Sequence, residues 1–71
     1  MADIHGFSGK EVIRVPAGMG FVIKHTKGSH VVLQRASDVC VVPLHSELAE
    51  GTLRSVLRQA GVSAREFLNN A

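Results

Sequence analysis

The sequence contains one cysteine, no tryptophan, no tyrosine and only three phenylalanines among its 71 residues. A single cysteine excludes an internal disulfide framework and fits a reducing compartment. Cys40 lies in an apolar run over residues 39–42, so we expect a buried, inert thiol rather than a nucleophile. The scarcity of aromatic residues argues against base stacking of the kind used by proteins that read single-stranded nucleic acid.

Long apolar runs and low-complexity segments are also missing. No stretch is long enough to span a bilayer, and the first residues lack the basic and apolar regions of a signal peptide. We therefore expect a cytoplasmic protein that does not bind membranes. The 45% share of hydrophobic residues is typical of a globular protein. The length predicts a single domain over residues 1–71, with a shallow surface site for a large substrate.

The charge balance permits nucleic-acid binding without requiring it, because the net charge is only +2. Basic residues that could contact phosphates are Lys24, Lys27, Arg35, Arg54 and Arg58. Arg54 and Arg58 are four residues apart, and such a pair is more often a solvated helix face than a binding site. Nearby Glu47 and Glu50 would weaken this basic area.

A first helix is signalled by Ser8 and Glu11, which have the spacing of a capping box. Phe7 and Val12 have the spacing of a hydrophobic staple around the same start. Pro16 then falls inside the helical pattern, where proline costs ~3 kcal/mol. The sequence therefore predicts a short or kinked helix with an irregular exit over residues 17–20.

Two further helices are predicted after the middle of the chain. The first covers about residues 50–60, with an apolar stripe on one face and Gly61 at the position of a left-handed C-cap. The second is short and starts at Ser63, with Glu66 completing a second capping box.

Three strands are predicted between the helices, over residues 21–26, 31–35 and 39–42. Their connections, residues 27–29 and 36–38, have hairpin length and predict an antiparallel meander. The fold class is therefore α+β, in the order helix, strand, strand, strand, helix and short C-terminal helix.

A three-residue first loop would pair Lys24 with Val32 and Ile23 with Leu33. Alternation along the strands would then divide the side chains between two faces of the sheet. The expected buried face holds Phe21, Ile23, Val31 and Leu33, and the expected opposite face holds Lys24, His30 and Val32.

His30, just past the first turn, is the main candidate for chemistry. An imidazole can take and give protons near neutral pH, so it could remove the proton of a ribose 2′-hydroxyl that attacks the adjacent phosphate. Lys27 or Lys24 could neutralise the phosphoryl charge. The Ser29 hydroxyl and the backbone N–H groups around Gly28 could also bind phosphate. The alternative is a solvated hairpin histidine.

Metal binding is the rival use of the histidines. His25, His30 and His45 could converge, and catalytic zinc requires three protein ligands. No tight ligand spacing is present in the sequence, so we expect no metal and no other cofactor.

Several motifs occur together and in order: Gly20-Phe21, Lys27-Gly28-Ser29-His30, Val42-Pro43-Leu44-His45 and the segment over residues 51–61. Over residues 8–68 the chain thereby resembles the HicA-type toxins of HicA–HicB toxin–antitoxin systems. The resemblance implies a fold like a double-stranded-RNA-binding domain. It also implies endonucleolytic cleavage of messenger RNA that halts growth. A departure from the family is visible at residues 15–18, where the chain has Val-Pro-Ala-Gly instead of ordinary helical sequence.

The resemblance further implies that His30 is the catalytic residue and that a HicB-type antitoxin covers the active face. Catalysis in the family is not known to need a metal. The second proton-transfer group stays open among Lys27, Ser29 and His45. Two other functions remain as alternatives: a non-catalytic RNA-binding module that uses the same basic face, and an interaction domain that docks an acidic partner.

Overall fold

The computed structural model describes residues 4–71. Its elements are α1 (Gly9–Gly18), β1 (Val22–Lys27), β2 (His30–Arg35), β3 (Asp38–Pro43), α2 (Glu50–Ala60) and α3 (Ala64–Asn70). The strands form an antiparallel sheet in the order β1-β2-β3. This is the α+β meander that the sequence predicts, and it agrees with an architecture like a double-stranded-RNA-binding domain. Within the described residues, no helix combines the length and the apolar character needed to cross a membrane.

The predicted helix ends are confirmed by their hydrogen bonds. At α1, the Glu11 N–H donates to the Ser8 hydroxyl at 3.2 Å, and the Ser8 N–H donates to the Glu11 carboxylate at 2.9 Å. Ser63 and Glu66 form the same reciprocal pair at the start of α3. Gly61 ends α2 in the left-handed conformation, with φ of 71°. Local capping chemistry therefore sets these boundaries.

Helix α1 ends later than expected, at Gly18, and Pro16 lies inside it. The helix continues through Val15 and Pro16 to Gly18, so residues 17 and 18, predicted as an irregular exit, are helical. The Pro16 carbonyl accepts the N–H groups of Met19 and Phe21, both at 3.0 Å. Pro16 stands in the last turn of α1, and its ring is buried in the interior. The two hydrogen bonds to its carbonyl direct the chain from α1 toward β1.

The core lies between the helices and one face of the sheet. Both α1 and α2 pack against β3, with α2 making the larger contact. Phe67 of α3 is fully buried and meets Phe7 edge to face, with ring centroids 4.8 Å apart. The buried hydrophobic side chains are Ile4, Val12, Val15, Phe21, Val31, Leu33, Cys40, Val42, Leu48, Leu53, Val56, Leu57, Ala60, Val62 and Phe67.

The expectation that Ile23 is buried is wrong. Ile23 pairs with Leu33 as predicted, yet 53% of its surface is exposed. The helices pack mainly against β3. β1 is the edge strand at the opposite side of the sheet, separated from β3 by β2, so the helices do not cover it. All six residues of β1 are exposed.

The first hairpin loop has two residues instead of the expected three. Lys27 pairs with His30, which leaves only Gly28 and Ser29 in the turn. Gly28 has φ of +59°, the left-handed conformation that a type II′ turn requires at its first central position. A glycine there is therefore a requirement of the turn.

The pairing of Lys24 with Val32 is also wrong, because β1 contains a bulge. The ladder passes from Ile23↔Leu33 directly to His25↔Val32, so Lys24 is an additional, unpaired residue. A bulge of this kind changes which face the following side chains occupy. His25 therefore takes the place on the sheet that was expected for Lys24.

Candidate active site

His30 occupies the first position of β2, the central strand of the sheet. Lys27 of β1 pairs with it on one side and Pro43 of β3 pairs with it on the other. The His30 side chain is exposed. Strand pairing on both sides therefore fixes the backbone of His30 while its imidazole remains open to a ligand.

The turn beside His30 is held by the segment that follows β3. The Leu44 N–H donates to the Ser29 carbonyl at 2.6 Å, which extends the contact between β2 and β3 by one residue. The next residue, His45, accepts from the Gly9 N–H at 2.9 Å. The hairpin turn, the end of β3 and the start of α1 thus form one connected unit.

Alternation along the strands separates a core face of the sheet from an opposite face, which we call the outer face. Val31, Leu33, Cys40 and Val42 point into the core, so the residues between them point outward. Through the pairing register, the outer face consists of Val22, His25, Lys27, His30, Val32, Gln34, Val39, Val41 and Pro43. The charged side chains of the outer face are all basic. The three strands contain a single acid, Asp38, and it pairs with Arg35 at a position whose side chains lie on the core face.

The hairpin residues predicted as a phosphate site come together around His30. Lys27 lies directly across the strand pair from His30, where Cβ atoms are typically about 4.5–5.5 Å apart. Gly28 and Ser29 form the adjoining turn, and open space surrounds Gly28. Lys24 is exposed in the bulge of the same strand.

The predicted arginines belong to a separate part of the molecule. Arg54 and Arg58 lie on α2, where they line a shallow surface cavity of about 300 Å³ together with Leu57, Val62 and Ala64. Arg54 forms an ion pair with Glu50 at 3.0 Å, so the expected weakening of this area by an acid is confirmed for Glu50.

Arg35 does not join the predicted basic surface. Its guanidinium carbon lies 4.6 Å from the centroid of the Phe21 ring, and it donates to the Met19 carbonyl at 2.9 Å. Through the cation–π contact and the hydrogen bond, the Arg35 side chain holds the segment that leads into β1. Arg35 is therefore a structural residue.

Cys40 is buried, as expected. It is fully buried in β3, and burial raises the pKa of its thiol. Because only the thiolate is a strong nucleophile, this environment disfavours nucleophilic catalysis by Cys40.

No group of three or more histidine, cysteine, aspartate or glutamate side chains within residues 4–71 is arranged to hold a metal ion. His25, His30 and His45 therefore do not form the cluster that zinc catalysis would require. Any chemical role of these histidines is therefore proton transfer by an individual side chain.

His25 is the site residue whose position the sequence reasoning missed. The sequence suggests His25 only as a metal ligand, whereas the register places it on the outer face, two residues from Lys27. The Gly28-Ser29 pair is a signal for a two-residue turn, which would have paired Lys27 with His30. No comparable signal marks the bulge at Lys24.

Comparison with known protein families identifies the family of this chain. A family model described as "HicA toxin of bacterial toxin-antitoxin" matches residues 9–62, which is more than half of the chain. A comparison with curated proteins gives no significant match. The matched range includes α1, the whole sheet and α2, and so it contains every site residue described above.

Proposed function

Because the chain belongs to the HicA family, the toxins of bacterial toxin–antitoxin systems, we propose that it is an endoribonuclease that cleaves messenger RNA with His30 as its catalytic residue. The observation that carries this proposal is the exposed imidazole at the end of the central strand, with its backbone paired on both sides. A group that must transfer protons in a fixed geometry needs such support.

In the proposed reaction, His30 removes the proton of a ribose 2′-hydroxyl. The 2′-oxygen then attacks the adjacent phosphorus, and the bond to the 5′-oxygen breaks as that oxygen takes up a proton from a general acid or from water. Lys27 lies across the strand pair from His30, where its ammonium can stabilise the charge that builds up on the phosphoryl oxygens. The products are a 2′,3′-cyclic phosphate and a 5′-hydroxyl, and the reaction uses no metal or other cofactor.

RNA binding is assigned to basic and turn residues in two areas. Near the reacting phosphate these are Lys24, Lys27, Gly28 and Ser29. Arg54 and Arg58 of α2 would contact more distant phosphates. Recognition through phosphates and groove shape suits a surface of this kind, because the chain has neither tyrosine nor tryptophan for base stacking.

We further propose that residues 1–71 act as one domain in the cytoplasm and that a HicB-type antitoxin is the partner. The antitoxin would inhibit by covering the hairpin and the outer face, since RNA must reach His30 there. The support for this partner is membership of the family.

The test compares wild-type protein with His30→Ala on a labelled messenger RNA in the presence of a chelator. We expect the substitution to slow cleavage by about 10²–10⁴-fold, the usual contribution of a proton-transfer group. RNA binding and the thermal unfolding curve should stay close to wild type, because the side chain is exposed. An all-deoxy substrate should remain uncut.

Cleavage by His30→Ala at the wild-type rate would refute the catalytic assignment. Binding without cleavage by the wild-type protein would instead favour a non-catalytic RNA-binding module. The outer face also suits that second function, because its charged side chains are basic. Expression in growing bacteria provides an independent check: wild-type protein should arrest growth and His30→Ala should not.

A further inference from the structure

The bulge in β1 has a specific effect on His25. In a regular ladder that continued from Ile23↔Leu33, His25 would stand opposite Val31 and point into the core. The additional residue Lys24 moves His25 opposite Val32, which places it on the outer face. Bulges that turn one side chain in this way are common beside active sites.

Three exposed basic side chains therefore meet on one part of the outer face. Lys27 is the direct partner of His30, and His25 precedes Lys27 by two residues on the same strand. His25 is thus the diagonal neighbour of His30, at a typical Cα separation of about 7–8 Å. A phosphate bound at Lys27 would have one imidazole, His30, across the strand pair and the other, His25, along the same strand.

Resting on the proposed ribonuclease function, we propose that His25 is the second catalytic residue and acts as the general acid. His30 takes the proton of the 2′-hydroxyl while the new bond between the 2′-oxygen and phosphorus forms. As the bond between phosphorus and the 5′-oxygen breaks, the His25 imidazolium gives its proton to that oxygen. One proton is taken up and one is released, so no further reactant is needed.

The chemistry of the other nearby groups favours His25 for this role. As a class, ammonium groups are poorer proton donors near neutral pH than imidazolium groups, so the role of Lys27 is better taken as charge stabilisation. The Ser29 hydroxyl is an even weaker acid. His45 lies beyond the end of β3, with its carbonyl bound by the Gly9 N–H, and strand pairing does not place it on the outer face.

The outer face also provides suitable electrostatics for a phosphodiester. The titratable groups that the strands bring to this face are His25, Lys27 and His30, with Lys24 exposed in the bulge. The strand residues beside them on β2 and β3 are Val32, Val41 and Pro43, none of which carries charge. No carboxylate of the sheet competes with the substrate for these groups.

An RNA whose scissile 5′-oxygen is replaced by sulfur tests the assignment, because a thiolate leaves without needing a proton. Wild-type protein should cut both this phosphorothiolate RNA and ordinary RNA. On ordinary RNA, His25→Ala should cleave about 10²–10⁴-fold more slowly than wild type. On the phosphorothiolate RNA, its cleavage rate should be within about tenfold of the wild-type rate on the same substrate. His30→Ala should be slow on both substrates.

The other outcomes separate this assignment from the proposed function. If His25→Ala cuts ordinary RNA at the wild-type rate, or is equally slow on both substrates, His25 is not the general acid. Selective recovery of His45→Ala or His30→Ala on the phosphorothiolate RNA would assign that role elsewhere and overturn the proposal. A wild-type protein that cuts neither substrate would overturn the ribonuclease function as well. Thermal unfolding of each variant shows whether the fold is kept.

Discussion

Gly9 lies where α1 meets the end of β3, and this contact leaves no space for a side chain. A Cβ atom at Gly9 would clash with the Pro43 carbonyl oxygen and would stand 2.9 Å from the Leu44 Cα. Both obstacles are backbone atoms, so they cannot rotate away. The Gly9 N–H also donates to the His45 carbonyl, and the Leu44 N–H donates to the Ser29 carbonyl in the turn beside His30.

We therefore expect Gly9→Ala to destabilise the fold by about 1–3 kcal/mol, the usual cost of forcing extra atoms into a packed contact. The measurement is the free energy of unfolding from urea titration followed by circular dichroism. RNA cleavage should also fall, since α1 must move away from the segment that supports the hairpin turn.

Gly51→Ala is the matched control for this prediction. Gly51 is helical, and a Cβ atom there would meet nothing within 4 Å. Alanine should stabilise the protein by about 0.4–1 kcal/mol, because it reduces the freedom of the unfolded chain. Equal effects of the two substitutions would show that the contact at Gly9 is not tight.

At the scale of elements, the start of α1 links stability to pH. The Ser8 backbone N–H, followed by the Ser8 hydroxyl, lowers the pKa of Glu11 below its ordinary value of 4.5. The unfolded chain therefore binds a proton on Glu11 more readily than the folded protein does. The resulting stabilisation is complete above the ordinary glutamate pKa and is lost as the pH falls through the lower, folded value.

Glu11→Gln should accordingly weaken the dependence of stability on pH below 4.5. Glutamine keeps the hydrogen-bonding shape of the capping box but does not titrate. The measurement is the free energy of unfolding of both proteins across the acidic range. Parallel curves for wild type and Glu11→Gln would contradict the assignment of this pH dependence to Glu11.

Local signals in the sequence were sufficient to predict the order and type of the elements. Capping residues such as Ser8 and Ser63 act within three or four residues, so their effect can be read without the tertiary structure. The same is true of the strands, whose observed ends lie within one residue of those predicted. Pro16 escaped this reasoning, because its place in the last helical turn and its burial depend on contacts with the rest of the fold.

The site was predictable only in part, for a related reason. The turn and His30 follow from a short local motif. The face occupied by His25 instead depends on the bulge at Lys24, and Ile23 is exposed because of its place in the sheet. Both features arise from how strands and helices pack, and a one-residue change in register moves a side chain to the opposite face.

At the scale of the whole molecule, the distribution of charge matters more than its small sum. The net charge is +2, and the proposed phosphate contacts fall in the hairpin and on α2. The charge of Arg54 is partly neutralised by its ion pair with Glu50. We therefore expect RNA binding that depends on salt but involves few phosphates.

Salt titration of RNA binding provides the corresponding prediction. Each phosphate contact adds about 0.7 to the slope of log K against log salt on a single strand and about 0.9 on a duplex, so four basic side chains give a slope no steeper than about −4. Lys27→Ala and Arg58→Ala should each reduce it by about 0.7–0.9. Lys27→Ala should also lower kcat, because the proposal places Lys27 beside the reacting phosphate, whereas Arg58→Ala should act mainly on KM.

Arg14→Ala is the matched control, because it removes the same charge from α1, outside both basic areas. It should leave the slope at the wild-type value. An equal loss of slope in all three variants would mean that RNA responds to net charge alone, and the hairpin and α2 would not be its binding areas.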